Sequence, residues 1–246
     1  MKLKLLVVSF GLAASGVVFA NTYQSEVGAT AARWDENGAN HTVNNHILEG
    51  KYYFNLVNTA NLPLAEAAYL NKSSNVFAAL SRNFGKGNST DFNKLLGGVE
   101  VYIPENFLYV KVEASRSKFD SYSNHDSTAT IGITPLDGLR VTTSWELENS
   151  YDANISAKYV TAIGSGQFIN AEATVADTSF GTYKAIGGDF YIDTSFSVGA
   201  EVSDDDMGTN YTARTRKFFG EQWSGNFSYT DAEYGNKVAV GVDFRF

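Results

Sequence analysis

The sequence predicts an all-β fold: a transmembrane antiparallel up-and-down β-barrel of about fourteen strands with short turns. Three observations predict it. Segments of about ten residues alternate apolar and polar side chains, the mark of a strand with two different faces. Turn clusters rich in Asp and Asn separate the segments. The last segment, 236–246, puts Val238, Val240, Val242, Phe244 and Phe246 on one face, and Ala239, Gly241, Asp243 and Arg245 on the other.

Residues 1–20 read as a cleaved targeting segment. Lys2 and Lys4 precede an apolar run from Leu5 to Val18, and Val18-Phe19-Ala20 fits a small-residue cleavage site. The expected domains are therefore 1–20, a signal peptide, and 21–246, the barrel. After residue 20 no run of about 18 apolar residues occurs, so no helix spans a bilayer. The mean hydropathy of -0.20 does not argue against a membrane location, because a barrel hides its lipid face in alternation. The chain has no Cys, so the predicted exported domain is held by something other than disulfides, and a closed sheet is one such device. The formal charge of -8 argues against nucleic acid as a partner.

The clearest strands place these residues on the apolar face: Leu48, Tyr52, Phe54 and Leu56; Leu95, Val99, Val101 and Ile103; Leu108, Val110 and Val112; Leu139, Val141, Trp145 and Leu147; Phe196, Val198 and Val202; Trp223, Phe227 and Tyr229. Weaker segments lie near 22–34, 74–84, 127–134, 153–162, 167–177, 182–192 and 210–219. With the terminal strand the count is even, as a single-chain barrel requires. Pro63, Pro104 and Pro135 all fall in links at one end, where tight turns tolerate them. Aromatics gather where interfacial girdles belong. Trp34, Phe84, Tyr151, Tyr183, Tyr211 and Tyr229 are near one set of strand ends; Tyr23, Phe54, Phe107, Phe196, Phe219, Trp223 and Phe246 are near the other.

One stretch breaks the alternation. Leu62-Pro63-Leu64-Ala65-Glu66-Ala67-Ala68-Tyr69-Leu70-Asn71-Lys72 reads as a short helical segment in the first link at the end that carries both termini. From Pro63 to Asn75 it resembles the segment after the first hairpin of the general bacterial porin family of Gram-negative bacteria. The rest of the chain agrees in pattern: signal peptide, short alternating strands, terminal Phe. The resemblance implies an outer-membrane barrel of roughly fourteen strands and diffusion of small hydrophilic solutes or ions, passive or gated. It implies outer-membrane lipid and lipopolysaccharide as surroundings. Phe244 and Phe246 in the last strand would signal to the barrel-assembly machinery. No cofactor and no metal are called for.

On the polar faces, charge is expected to point inward, because a basic residue on the lipid face costs about 2–4 kcal/mol at the midplane. That assigns Glu49, Lys51, Lys94, Glu100, Lys111, Glu113, Arg140, Glu146, Lys158, Glu172, Asp189, Glu201, Arg214, Arg216, Asp243 and Arg245 to the pore lining, with Glu26 and Glu148 of the same parity. A slight acidic excess suggests mild cation preference. Tyr53, Tyr102, Tyr109 and Tyr191 also point inward on this reading, as constriction or as filler. Pro63, Leu64, Glu66 and Tyr69 would form a periplasmic gate, since the outward links are too short to narrow the lumen.

Two other functions compete. A closed structural or adhesive barrel fits the fold, but short outward links present little surface. A barrel hydrolase would need His125, Asp126 and a Ser gathered at the outer rim, and no patterned partner marks them. His41 and His46 match no common zinc spacing, and Asp204-Asp205-Asp206 lacks the terminal Glu of a calcium loop.

Overall fold

The computed structural model describes residues 21–37, 42–86, 92–103, 105, 107–119, 122–148, 153–178 and 181–246. The targeting segment 1–20, His41, Pro104 and Tyr151 lie outside the described residues.

Fourteen strands close into one antiparallel barrel in sequence order. They are β1 (Thr22–Glu36), β2 (Thr42–Asn58), β3 (Asn75–Lys86), β4 (Phe92–Ile103), β5 (Leu108–Phe119), β6 (Tyr122–Leu136), β7 (Leu139–Glu146), β8 (Ala153–Gly164), β9 (Gln167–Thr178), β10 (Gly181–Asp193), β11 (Phe196–Asp205), β12 (Gly208–Phe219), β13 (Trp223–Ala232) and β14 (Gly235–Arg245). The seam pairs β1 with β14 from Glu26↔Arg245 to Glu36↔Gly235. Phe246 extends it: its carbonyl accepts the N–H groups of Gln24 and Ser25, each at 2.9 Å, and its N–H donates to Ser25 O. Every strand edge is thereby paired, which a sheet in lipid requires.

The period-two expectation holds along the strands. Leu48, Tyr52, Leu95, Val112, Ile131, Ile155, Ile186, Val198, Phe227 and Val240 are exposed on the outer face. Tyr53, Tyr102, Tyr109, Tyr191 and Phe218 are buried on the inner face. Such an inside-out pattern suits lipid as the outer solvent.

Three expected girdle positions are corrected. Tyr23 faces inward and joins a cluster with Tyr53, Val57 and Ala67. Trp34 shares its face with buried Ala32 and lies against Gly235 inside the outer mouth. Tyr183 shares the inner face of β10 with Tyr191, so the flanking Lys184 faces out. Pro135 also moves: it lies within β6, where the register with β7 shifts between Ile133 and Leu136 and a missing N–H costs no ladder bond.

At the end carrying residues 21 and 246, periplasmic in a bacterial barrel, the β2–β3 link turns inward. A 3-10 turn, Leu64–Glu66, leads into the short helix α1 (Ala67–Leu70). Asn61 and Lys72 bracket it at positive φ, 59° and 51°, reversing the chain on each side. The Asn71 side chain ties the return by donating to Asn58 O and Ala67 O.

Candidate functional site

The inward link is a plug in the periplasmic mouth. Pro63 and Ala67 are fully buried, and Leu64 nearly so. Its apolar face packs on Tyr23, Tyr53 and Val57, with Leu62 and Ala68 alongside. Its polar groups reach several walls. Leu64 N–H donates to Thr194 O in the β10–β11 turn at 2.7 Å. Arg245 on β14 donates to Leu64 O at 2.7 Å. The Tyr69 hydroxyl lies 2.8 Å from Lys158 O on β8 and 3.0 Å from Gly138 O in the β6–β7 turn. Gly138 in turn packs its backbone against β8: its φ is +75°, and an added Cβ would fall 2.0 Å from Val160 O.

Glu66 carries the strongest polar contacts of the plug. It is 6% exposed. Lys158 approaches its carboxylate at 2.9 Å, and the Tyr191 hydroxyl on β10 donates to it at 2.8 Å. Lys158 is shared with Glu172 on β9 at 3.0 Å. The network continues through Arg214 on β12, which pairs with Asp189 in bidentate fashion at 2.8 and 2.9 Å and reaches Glu201 at 3.5 Å. Bidentate guanidinium–carboxylate pairing is directional as well as strong. Between this wall and the plug lies a cavity of about 380 Å³, lined by Ala65, Glu66 and residues of β8–β13.

The opposite wall holds Arg140 differently. Its guanidinium lies 4.4 Å from the Tyr109 ring centre, 5.1 Å from that of Tyr69 and 5.8 Å from that of Tyr102, and it pairs with Glu100 at 3.0 Å. Tyr69 therefore has two cations near its ring, since Lys158 Nζ is 5.0 Å from the centre. Burial pushes the Tyr69 phenol up to about 12, against the opposing pull of Arg140.

Most residues expected in the pore lining share the inner face of their strands, and the plug brings several together. Glu100, Arg140, Lys158, Glu172, Asp189, Glu201 and Arg214 form the two clusters just described. Lys111 and Glu113 pair along β5 at 2.9 Å, and Arg216 reaches Asp243 at 3.8 Å. Glu49, Lys51, Lys94 and Glu146 lie farther around the same inner face. Arg245 departs from the expectation. It is 3% exposed, ion-paired with Glu26 at 2.6 Å and held between the Tyr23 and Phe218 rings at 4.6 and 4.5 Å. It anchors plug to seam and does not front water. Glu148 lies past the end of β7, exposed, where it accepts the Ser127 N–H.

The hydrolase arrangement does not assemble. His125 and Asp126 are neighbours on β6, so period two sends them to opposite faces. His125 is exposed on the outer face, and Asp126 lies on the inner face near Ser115. His46 packs edge-on against Phe84, also outward. Among the described residues no group of three or more His, Cys, Asp or Glu could hold a metal ion. Asp204 and Asp205 are engaged within their own turn, by Thr209 Oγ1 and Met207 N–H.

The expected inner face identified the two clusters but not the plug's partners. Lys158 and Tyr191 meet Glu66 across 92 and 125 residues of sequence, and no local pattern links them.

Comparison with known proteins agrees with this architecture. The crystal structure of the Acinetobacter baumannii outer membrane protein Omp33 superposes with a TM-score of 0.76 at 23% identity, covering 93% of this chain and 100% of that one. A mutant of the Rh. blastica porin superposes with a TM-score of 0.50 at 12% identity, covering 92% of this chain and 100% of that one. At these identities the likeness is one of fold. No curated protein matches by sequence. The family model described as "Putative general bacterial porin" matches residues 1–135, more than half of the chain. The protein belongs to the general bacterial porins, which form diffusion channels for small solutes in the Gram-negative outer membrane.

Proposed function

We propose that this porin is a gated channel in which residues 58–73 control the periplasmic exit, with Pro63, Leu64, Glu66 and Tyr69 as the working parts of the gate. The observation that carries the reading is the buried Glu66 carboxylate bound by Lys158 and Tyr191. A link that merely capped the barrel from below would leave its one carboxylate in water. This one is drawn into the lumen and held on a wall of the pore. Undocking exchanges contacts with that wall for hydration, a two-state change confined to one short segment.

Solutes on this reading descend past the inner-face charges from Glu49 and Lys94 to Arg214 and Arg216, then pass the cavity beside the plug. The mixed signs favour small hydrophilic solutes and ions, with a mild preference for cations from the acidic excess. The barrel performs no chemistry on what it passes, so His125→Ala leaves both conductance and any background hydrolysis unchanged. Phe244 and Phe246, on the outer face of β14, are read as the contact for the assembly machinery before closure.

The test is deletion of residues 62–70 with single-channel recording in planar bilayers. The reading predicts a several-fold larger and steadier conductance. Unchanged conductance, in a variant that still shows heat-modifiable mobility, would remove the gate.

A further inference from the structure

The cavity beside the plug is lined by both signs of charge: Lys158, Arg214 and Arg216 against Glu66, Glu172 and Asp189. These groups are not equally occupied. Lys158 is shared between Glu66 and Glu172 at 2.9 and 3.0 Å. Arg214 is committed to the wall. It reaches across β11 at Gly199, which stands opposite Arg214 on one side and opposite Asp189 on the other. A Cβ at Gly199 would fall 2.1 Å from Asp189 Oδ1, so the missing side chain is what lets the bidentate pair close over β11.

Arg216 differs. It is the next inner-face residue along β12, about 7 Å nearer the periplasmic end. Its side chain is 37% exposed, and its ion pair with Asp243 is long, at 3.8 Å. Among the described residues it donates no hydrogen bond. A guanidinium carries five N–H donors, and here they border the cavity. Acceptors are left over elsewhere in the same lining. Glu172 is 33% exposed, and its Oε2 has only a 3.6 Å contact with Arg214 among the described residues. Beside it, Asn170 is 4% exposed. The Asn170 amide nitrogen is drawn to Glu172 and Asp189, at 2.8 and 3.0 Å, which leaves Oδ1 without a donor. A buried acceptor with no donor is rare in a folded chain.

Unfilled donors and unfilled acceptors thus line one cavity, separated by the Arg214 head and one step of β12. A lone anion would serve Arg216 and leave Asn170 unmet, and a lone cation would do the reverse. Both ends are met by a solute with a carboxylate at one end, an ammonium at the other and a short methylene chain between. We propose that the cavity binds linear zwitterions of this kind, basic amino acids among them, with the carboxylate on Arg216 and the distal ammonium on Glu172 and Asn170. The proposal deepens the reading of the barrel as a solute channel and rests on it for the route of entry. It does not require the plug to move.

The purified barrel in detergent is titrated calorimetrically with ε-aminocaproate and with three probes that each lack one feature. Caproate lacks the ammonium, hexylamine lacks the carboxylate, and glycine lacks the spacing. Binding of ε-aminocaproate and of L-lysine is expected to be tighter than that of any of the three by roughly tenfold or more, the scale of one hydrogen bond to a charged group. Arg216→Gln brings ε-aminocaproate down to the level of hexylamine and leaves hexylamine itself unchanged. Glu172→Gln brings it down to the level of caproate. His125→Ala, on the outer face, alters neither. Heat-modifiable mobility confirms that each variant is a closed barrel. Equal binding of ε-aminocaproate and hexylamine, full affinity in Arg216→Gln, or no binding of any probe would each overturn the proposal. Calorimetry reads occupancy and not current, so such a failure leaves the deletion test of the gate standing, and a failed gate leaves the binding result standing.

Discussion

The periplasmic third of the lumen is built like the core of a soluble protein, and the extracellular part is not. Around the plug, Tyr23, Tyr53, Val57, Leu64, Ala67 and Phe218 are buried, and several walls offer the plug a contact. Toward the outer mouth the buried inner-face residues are small and polar, such as Ser115, Ser117, Ser144 and Ser203. A barrel of this size has room for water along its axis. It stays open where side chains are short and closes where a link returns to fill it. Permeability and stability are therefore divided between the two ends.

The difference can be broken most directly at Arg245. Arg245→Ala strips the largely enclosed Glu26 of its 2.6 Å ion-pair partner and removes the filler between Tyr23 and Phe218. Breaking one half of a buried pair costs about 3–5 kcal/mol. The midpoint of urea unfolding followed by heat-modifiable mobility is expected to fall sharply. A midpoint within error of wild type would show that the inner end is no core.

Glu66→Gln gives the next largest effect. Hydrogen bonds to charged groups are worth about 1.5–3 kcal/mol, and here they act on docking, not on barrel stability. Open probability in single-channel records should rise by roughly tenfold or more, with the unfolding midpoint little changed. The reverse pattern, a destabilised barrel with unaltered gating, would assign Glu66 to the scaffold.

Tyr69→Phe is milder, about 0.5–1.5 kcal/mol for one neutral hydrogen bond. It also carries a pH signature. Burial raises the docked phenol from its ordinary value of 10.0 to about 12, so docking favours the neutral form. Its contribution is complete below pH 10 and is lost as pH rises through about 12. Open probability should therefore climb in that alkaline window in the wild type, and Tyr69→Phe should flatten the climb.

At the other end the smallest effect is expected. Lys94 lies on the inner face beside the short side chains of Ser81 and Ser117. Lys94→Gln should shift the reversal potential toward cations in a salt gradient while stability stays within about 0.5 kcal/mol. A clear loss of stability would blur the distinction between the two ends.

The strands were legible because lipid enforces alternation residue by residue, and the interruption at Leu62–Lys72 stood out against it. The errors fell where that enforcement is weak. At Ala31-Ala32-Arg33-Trp34 two small residues carry no parity, and near the headgroups Arg33 pairs outward with Asp35 while Trp34 turns in. At Thr182-Tyr183-Lys184 the lysine faces out, because an interfacial ammonium reaches water. Pro135 was readable as a breaker but not as a register shift. The plug's position depends on groups as distant as Arg245, 181 residues from Leu64. No local pattern encodes such a meeting, and only the closed barrel brings it about.

The central claim, that docking of the Leu64–Tyr69 segment on the wall limits passage, is tested most directly by tethering it. The chain has no cysteine, so Leu64→Cys/Thr194→Cys introduces one addressable pair where the two backbones meet at 2.7 Å. Single-channel current is recorded from the oxidised protein, then after reductant. The account predicts a persistent low-conductance state that gives way to openings on reduction. Openings of equal size and frequency in both states, with the disulfide verified by mass, would contradict it.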